Sequence, residues 1–161
     1  MSTNSTAVAN DREVVWSAIQ ANSYCTLATS SNNRPHAAGI LYEVIGRDIF
    51  VTAFDDSRKA RNVAENPHVA VAIPVVEYPE APPFSIQFQG RGEILPQDHP
   101  EVVRLLGEGR LQTIAGHGVL DDPRTIFIRI TPGKRANVYG VGIPLDELMA
   151  NPSAAIRSVE L

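Results

Sequence analysis

The chain has 161 residues and a formal net charge of −4, with 43% hydrophobic and 20% charged residues. This composition predicts one compact domain, and the negative charge argues against a duplex nucleic acid as partner. The single cysteine, Cys25, cannot form an internal disulfide, and no apolar stretch approaches the ~20 residues that cross a bilayer, so no membrane association is expected.

The beginning of the chain predicts a tail and then a helix. Residues 1–10 are rich in Ser, Thr, Asn and Ala, which predicts a flexible N-terminal tail. They also lack the basic start and apolar block of a secretion signal, so a cytoplasmic location is expected. Asp11 can cap a helix over residues 12–22, in which Trp16 is expected to anchor the helix to the body of the protein.

After this helix the periodicity changes to that of strands. Apolar and branched residues over 23–29, 36–44 and 49–52 predict three strands. The polar turn before Pro35 and the turn Gly46-Arg47-Asp48 are both short, so the three strands are predicted to form an antiparallel meander.

The second half of the chain predicts further strands separated by short helices. A helix capped by Ser57 ends at Asn66-Pro67, because the residue before a proline avoids the helical region. The Gly-rich residues 107–118 predict a loop, and Pro132-Gly133 is expected to break the last two strands apart. The remaining predicted elements are strands over 69–76, 84–95, 126–131 and 135–141, a helix over 98–107 and a helical turn over 144–150.

Six or seven strands that come mostly in hairpins predict a mainly β fold. A small antiparallel β-barrel with peripheral helices fits this pattern best, because a barrel hides its sheet edges by closing on itself. The barrel domain is predicted over residues 11–143, and a C-terminal helix and tail follow over residues 144–161.

The junction between the third strand and the next helix carries the clearest chemical signal. Thr52 ends the strand and Ser57 caps the helix, while Arg58 and Lys59 occupy the first turn, where the helix dipole disfavours cations by roughly 0.3–1 kcal/mol each. A phosphate bound to the free N–H groups of the helix start would satisfy all these donors together. The residues alone support a phosphate site and a solvated basic turn equally.

Several segments around this junction match a known pattern. The junction itself reads Thr52-x4-Ser57-Arg58-Lys59-Ala60-Arg61-Asn62-Val63, followed by Asn66-Pro67-x-Val69. Upstream stand Thr26-Leu27-Ala28-Thr29 and Arg34-Pro35-His36, and downstream stands Phe88-Gln89-Gly90-Arg91-Gly92-Glu93. Together these segments resemble the flavin-binding split-barrel proteins related to pyridoxamine 5′-phosphate oxidase. The resemblance runs from about residue 13 to residue 139, which is most of the chain.

The resemblance implies a six-stranded antiparallel split barrel that forms a homodimer, with two cofactor sites at the dimer interface. It implies FMN as the cofactor, with the deazaflavin coenzyme F-420 as the alternative, because both carry a phosphate on a ribityl-type chain. The implied phosphate-binding residues are Thr52, Ser57, Arg58 and Lys59. The second strand is implied to run under the flavin ring at Ala37, Ala38 and Gly39. A further contact to the cofactor is implied to come from Gln87 of the partner subunit.

The function that the resemblance implies is that of a flavin-dependent oxidoreductase acting on a small organic molecule. Residues 144–161 contain no histidine and no tryptophan, so the substrate element of the enzymes that oxidise pyridoxamine phosphate is missing, and the vitamin B6 reaction is not expected. The alternative is a split barrel that binds or senses a flavin, a deazaflavin or haem without catalysis, with His117 as the haem candidate. The four histidines show no metal-ligand spacing, so no other metal site is expected.

Overall fold

The fold is mainly β, as predicted, and is built on one antiparallel sheet. This sheet has eight strands rather than the predicted six. A computed structural model describes the backbone of residues 3–161 and the side chains from residue 10 onward. The strands are β1 (Tyr24–Ser31), β2 (Arg34–Leu41), β3 (Glu43–Ile45), β4 (Asp48–Phe54), β5 (His68–Val75), β6 (Phe84–Pro96), β7 (Thr125–Tyr139) and β8 (Ile156–Glu160). The helices are α1 (Thr3–Ala21), α2 (Arg58–Glu65), α3 (Pro100–Gly107), α4 (Gln112–Ala115) and α5 (Leu145–Ala150). The hydrogen-bonded order of the strands is β2-β1-β5-β6-β7-β4-β3, with β8 added beside β7.

Helix α1 begins earlier than the sequence predicts. The predicted start at residue 12 is wrong, because the helix already includes residues 3–10 of the predicted tail, whose residues 1 and 2 lie outside the described part of the chain. The helix contains neither glycine nor proline, so no helix-breaking residue separates residues 3–10 from the predicted helix. Trp16 is 5% exposed and belongs to the main core, which confirms that it anchors the helix.

The first four strands form two hairpins rather than the predicted meander. β1 and β2 pair across the two-residue turn Asn32-Asn33, in which both residues have a positive φ (49° and 58°), as a type I′ hairpin turn requires. β3 and β4 form the second hairpin at the opposite end of the sheet. Tyr42, between β2 and β3, is buried and its hydroxyl donates to the carbonyl of Ile19 at 2.6 Å, so α1 holds the chain where it leaves β2.

The C-terminal strands also differ from the prediction. β7 is one strand of 15 residues, whereas the sequence predicts two strands broken at Pro132-Gly133. The ladder between β6 and β7 shifts register between Phe88 and Gly90, and this bulge lets β7 continue past a proline that cannot donate a hydrogen bond. The predicted helical turn is confirmed as α5, but the predicted tail after it contains β8, which pairs with β7 over residues 135–139.

Two hydrophobic clusters lie on opposite faces of β4 and β7. Ile128 and Ile130 belong to the main core, which also takes side chains from α1. Phe50 and Phe127 belong to a smaller cluster that takes side chains from α3 and α4. Because both faces are covered there, the first four residues of β7 are all buried, as in the central strands of covered sheets.

Helix α4 lies in the Gly-rich segment that the sequence predicts as a loop. The prediction is wrong because Leu111 and Ile114 are buried in the smaller cluster and hold this segment against the sheet. In the described part of the chain, no helix combines the length and apolarity that a membrane span requires.

The fold agrees with the predicted split barrel, but the sheet does not close on itself, so the expectation that closure hides the sheet edges is wrong. Between residues 3 and 161, no hydrogen-bonded ladder joins β2 to β4, and each of these strands keeps a free edge. On β4 the free edge covers residues 51–54, since β3 pairs only with the first part of the strand. Helix α2 packs beside this opening, against β1, β2 and β4. The opening is therefore bordered by two strand edges and the start of a helix.

Candidate functional site

The opening between β2 and β4 forms a cleft of about 260 Å³. It brings together three residues that the sequence analysis predicts as cofactor-binding, namely Gly39 on β2, Thr52 on β4 and Lys59 on α2. The other lining residues are Ile40, Ala53, Phe54, Val119 and Thr125. Segments that are far apart in the sequence therefore converge on one site.

The free edge of β2 presents backbone hydrogen-bonding groups to this cleft. In a hairpin with a two-residue turn, the residues that flank the turn form a hydrogen-bonded pair, and such pairs alternate with non-bonded ones along the strands. The pairing of Ser31 with Arg34 therefore directs the N–H and C=O groups of Ala37 and Gly39 away from β1, towards the free edge. A flat heterocycle with donors and acceptors along one side fits such an edge.

The small residues of β2 do not share one face. Ala37 and Gly39 are exposed on the outer face, whereas Ala38 alternates to the inner face, where it pairs with the buried Leu27. A Cβ at position 39 would lie 2.0 Å from the hydroxyl oxygen of Tyr24, so any side chain at this position requires the tyrosine ring to move. Tyr24 is 50% exposed, and its ring lies over the outer face of β2 at Gly39.

Two hydroxyl groups near the cleft already take part in the fold. Ser57 caps α2, and its Oγ accepts a hydrogen bond from the N–H of Ala60 at 3.3 Å. Thr52 Oγ1 donates to the carbonyl of Ile114 at 3.2 Å, which ties α4 to β4. A hydroxyl has one proton, so Ser57 can still donate to an anion, while Thr52 can only accept unless it breaks its present bond.

Arg58 and Lys59 are neighbours in the sequence but line different clefts. Consecutive residues of a helix point about 100° apart. This directs Lys59 into the opening between β2 and β4, and Arg58 into a neighbouring cleft beside the β1–β2 hairpin. Among the side chains that the structure describes, no carboxylate forms an ion pair with either residue. Two cations without a carboxylate partner therefore flank the start of α2.

Phe54 is a lining residue that the sequence analysis misses. Its ring is 44% exposed, and the guanidinium of Arg124 lies 4.7 Å from its centroid. Ion pairs to Asp122 at 2.7 Å and to Asp56 at 3.2 Å hold Arg124 in this position. The hydrogen bond from Arg124 lowers the pKa of Asp122 and raises the pKa of Arg124, so both stay charged at neutral pH. An aromatic residue at a strand end just before a basic helix start is the signal that could have identified Phe54.

Gln87 lies on a different surface from Lys59. It lines a cleft of about 460 Å³ on the outer face of β1, β5, β6 and β7, and within one chain this cleft is separate from that of Lys59. The outward side chains around Gln87 are small or polar and at least partly exposed. They include Thr26, Ala28, Ala70, Ala72, Gln89 and Asn137.

The comparisons with known proteins agree with this architecture. The family model described as pyridoxamine 5′-phosphate oxidase matches residues 12–139.

Three solved structures share the fold with this chain, at sequence identities low enough that the likeness shows the fold alone. A haem storage protein from Vibrio cholerae is 21% identical with a TM-score of 0.63, covering 83% of this chain and 94% of that chain. An FAD-binding protein from Mesorhizobium loti is 20% identical with a TM-score of 0.61, covering 75% and 87%. An F420 reductase is 21% identical with a TM-score of 0.53, covering 73% and 91%. Among curated proteins, none matches the chain.

Proposed function

The chain belongs to the pyridoxamine 5′-phosphate oxidase family, and from this premise we propose that it is a flavin-dependent oxidoreductase acting on a small organic molecule. The proposed cofactor is FMN, with the deazaflavin coenzyme as the alternative. One observation carries the proposal: the ammonium group of Lys59, without an ion-pair partner among the described side chains, shares a cleft with the free backbone edge of β2. Proteins of the same fold include one named for FAD binding and one named an F420 reductase.

Each wall of the cleft suits one part of a flavin mononucleotide. The Lys59 cation and the Ser57 hydroxyl suit a phosphate at the start of α2. The backbone groups of Ala37 and Gly39 suit the edge of the ring that carries donors and acceptors, and Phe54 suits its flat face. When bound, a flavin supplies the hydride or electron transfer, while these residues bind it, orient it and keep water from one side of it.

A second copy of the chain is proposed to complete the site. A cleft of about 260 Å³ is smaller than the roughly 300–1,000 Å³ of pockets that enclose a ligand. The outer sheet face carries small side chains around Gln87, and exposed apolar ones at Tyr24, Leu41 and Tyr139. Such a flat, weakly charged face suits a homodimer interface, from which Gln87 of one chain would approach the ligand of the other.

Flavin binding by the purified chain tests the proposed function. Fluorescence titration should show FMN or deazaflavin binding at micromolar concentration or below. Lys59→Gln is expected to weaken binding about 10–100-fold, because a hydrogen bond to a charged group contributes about 1.5–3 kcal/mol. Arg104→Gln removes an exposed cation on α3 and should leave the affinity unchanged. A wild-type chain that binds neither ligand at micromolar concentration refutes the proposal.

Turnover separates an enzyme from a cofactor carrier. Reduced nicotinamide should bleach the bound flavin, and an added organic acceptor should restore its colour. If the flavin binds but no reductant or acceptor changes its spectrum, the chain is a binding protein rather than an oxidoreductase.

Light scattering on the purified chain tests the homodimer. The wild type should have the mass of two chains. Ala72→Arg, which places a cation in the outer face, should give single chains and weaken flavin binding, whereas Gln112→Arg on the exposed side of α4 should change neither. A wild type that remains a single chain while binding flavin with full affinity contradicts the completed site.

Haem binding is the second candidate function, and one feature favours it. His117 is exposed with a φ of 57° in the loop after α4, two residues before Val119, which lines the cleft. Its imidazole is thus free to approach an iron at the mouth of the cleft, and one similar fold is named a haem storage protein. A Soret band after haem addition that His117→Ala abolishes would support this candidate, and an unchanged band would exclude His117 as the ligand.

A further inference from the structure

A further cleft lies on the outer face of the sheet, where β6, β7 and β8 run side by side. Its volume of about 300 Å³ is at the lower end of the roughly 300–1,000 Å³ of pockets that hold small ligands. We call it the β8 cleft. Its lining residues are Ser85, Gln87, Asn137, Val138, Tyr139 and Ile156.

The pairing of the three strands arranges the β8 cleft as two rows of side chains. Ser85 on β6 pairs with Tyr139 on β7, which in turn pairs with Ile156 on β8. Gln87 pairs with Asn137 in the next row on the same face, because residues two apart along a strand share a face. Directly opposed side chains have Cβ atoms about 4.5–5.5 Å apart. A ring and a branched aliphatic side chain therefore lie beside two amides.

The apolar wall of the β8 cleft is open to a ligand. Tyr139 is 45% exposed and Ile156 is 71% exposed. The Tyr139 ring packs edge-on against the buried ring of Phe84, with 6.0 Å between the centroids and 75° between the ring planes. A residue of the core thus supports the aromatic part of the wall.

The polar groups of the β8 cleft can both donate and accept hydrogen bonds. Gln87 Nε2 donates to Ser85 Oγ at 3.3 Å, so the Ser85 proton and the Gln87 carbonyl oxygen remain for other partners. Asn137 is exposed and adds a second amide. An uncharged carbonyl or amide group can therefore replace its hydrogen bonds to water with hydrogen bonds to these side chains.

The lining of the β8 cleft does not suit a charged ligand. Its six described lining residues include no carboxylate, ammonium or guanidinium group. Arg135 is two residues before Asn137 on β7, but its guanidinium donates to the hydroxyl and carbonyl oxygens of Ser158 and does not line the cleft. A charged group would lose water here without gaining a counter-ion, which is unfavourable.

The position of the β8 cleft connects it with the proposed function. Gln87 is proposed to approach the flavin of the partner chain, and a molecule that exchanges a hydride with a flavin must lie against its ring. The side chains beside Gln87 are thus placed to contact that molecule. Ile156 belongs to β8, which lies beyond the residues 12–139 that the family model matches. The C-terminal segment that lacks the substrate element of the pyridoxamine phosphate enzymes therefore contributes an apolar wall instead.

We propose that the β8 cleft binds the substrate, and that this substrate is an uncharged organic molecule with an apolar ring and a carbonyl or amide group. The inference rests on the proposed function, since it places the substrate beside the flavin that Gln87 approaches. Tyr139 and Ile156 contact the ring, while the amides of Gln87 and Asn137 bind the polar group. Ile156 is then a residue that determines the preference for an uncharged molecule.

Benzamide and benzoate test the inference, because they have nearly the same shape and differ in charge. Both are titrated by calorimetry into the flavin-loaded wild-type chain, so the measurement reports binding rather than turnover. Benzamide should bind at about millimolar concentration or below, as expected for a ligand of its size, and at least about 10-fold tighter than benzoate.

A cation at position 156 should remove this preference. Ile156→Lys should lower the ratio of the two affinities at least about 10-fold by tightening the binding of benzoate. Val103→Lys is the matched control, because it places the same cation at another exposed branched residue, on α3, and should keep the wild-type ratio. Light scattering should give Ile156→Lys the same mass as the wild type, and its flavin affinity should stay within about 2-fold.

The other outcomes overturn the inference and separate it from the proposed function. If the flavin-loaded wild type binds benzoate as tightly as benzamide, or binds neither at millimolar concentration, the inference is wrong while flavin binding stands. An unchanged ratio in Ile156→Lys shows that the probes bind elsewhere. A changed mass of this variant places Ile156 between the two chains rather than at a substrate, which also overturns the inference. If no flavin or deazaflavin binds to the wild type, the proposed function fails and the inference with it.

Discussion

Gly39→Val is expected to weaken flavin binding while leaving the chain folded. The new Cβ would lie 2.0 Å from the hydroxyl oxygen of Tyr24 and 2.9 Å from its Cζ, so the tyrosine ring must swing away. Tyr24 is 50% exposed and can move into solvent at the lower end of the cost of overpacking, about 1 kcal/mol. The preference of valine over glycine in strands offsets up to about 1 kcal/mol of this cost. The melting temperature should therefore stay within about 4 °C of the wild-type value.

The same valine projects from the outer face of β2 next to the free backbone groups of Gly39, so it crowds a flat ring bound at this edge. Titration with FMN, followed by flavin fluorescence, should show a loss of affinity of at least about 10-fold, or about 1.4 kcal/mol. Gly107→Val at the end of α3 is the matched control, because a Cβ there meets no atom within 4 Å. A folded Gly39→Val variant with wild-type affinity would refute the reasoning, since no ring then lies against this strand. A large drop in melting temperature would show that Tyr24 cannot move as described.

Three further predictions concern stability. Gly140→Ala should lower the free energy of unfolding by about 2–4 kcal/mol in chemical denaturation, because its φ of +79° disfavours alanine and the new Cβ would lie 2.3 Å from the Phe84 ring; an unchanged midpoint contradicts this. Ser57→Ala should cost about 1 kcal/mol by removing the cap of α2, and Ser57→Asp should restore most of it; equal losses in both variants would show that the cap is not the cause. Burial raises the pKa of Cys25 from 9.0 to about 12, so the unfolded chain releases this proton at a lower pH than the folded chain and stability falls as the pH rises above 9. Between pH 9 and pH 10 the wild type should lose about 1 kcal/mol more than Cys25→Ala, and equal losses would contradict the shift.

Local signals in the sequence predict the local elements well. The Asn32-Asn33 turn, the Ser57 cap and the end of α2 at Asn66 are all where short-range chemistry places them. Each depends on residues within a few positions of one another, because turns and caps are made by neighbouring backbone and side-chain groups. The mainly β, antiparallel class follows in the same way from strands joined by short turns.

Long-range contacts explain what the sequence analysis misses. The β3–β4 hairpin lies at the far end of the sheet because β4 pairs with the distant strand β7, and Tyr42 before β3 is held by Ile19 of α1, 23 positions away. β7 continues through Pro132 because of its register with β6, and α4 forms because its apolar residues meet a separate cluster. None of these partners is adjacent in sequence, so periodicity alone cannot reveal them.

The residues of the candidate site also fall into two groups, those with a local sequence signal and those placed by long-range packing. Gly39, Thr52 and Lys59 are predicted from the sequence to bind the cofactor, and the structure brings these three together in one cleft. The sequence-based prediction also places Arg58 and Lys59 in one phosphate site, although the helical period of 3.6 residues already implies that neighbouring side chains point in different directions. Val119 and Thr125 complete the lining without any local signal. Val119 reaches the cleft through the packing of the segment after α4, and Thr125 reaches it through the pairing of β7 with Phe54 on β4.

The two strands β4 and β7 give the molecule a common wall between its hydrophobic clusters. Phe50 and Phe127 enter the smaller cluster, while their neighbours Val51 and Ile128 enter the main core. If either cluster unfolds, β4 and β7 lose the packing on one of their faces, and these strands also support the other cluster. Heat or denaturant should therefore unfold the chain in one cooperative transition, in which α3 and α4 melt together with the sheet rather than as a separate unit.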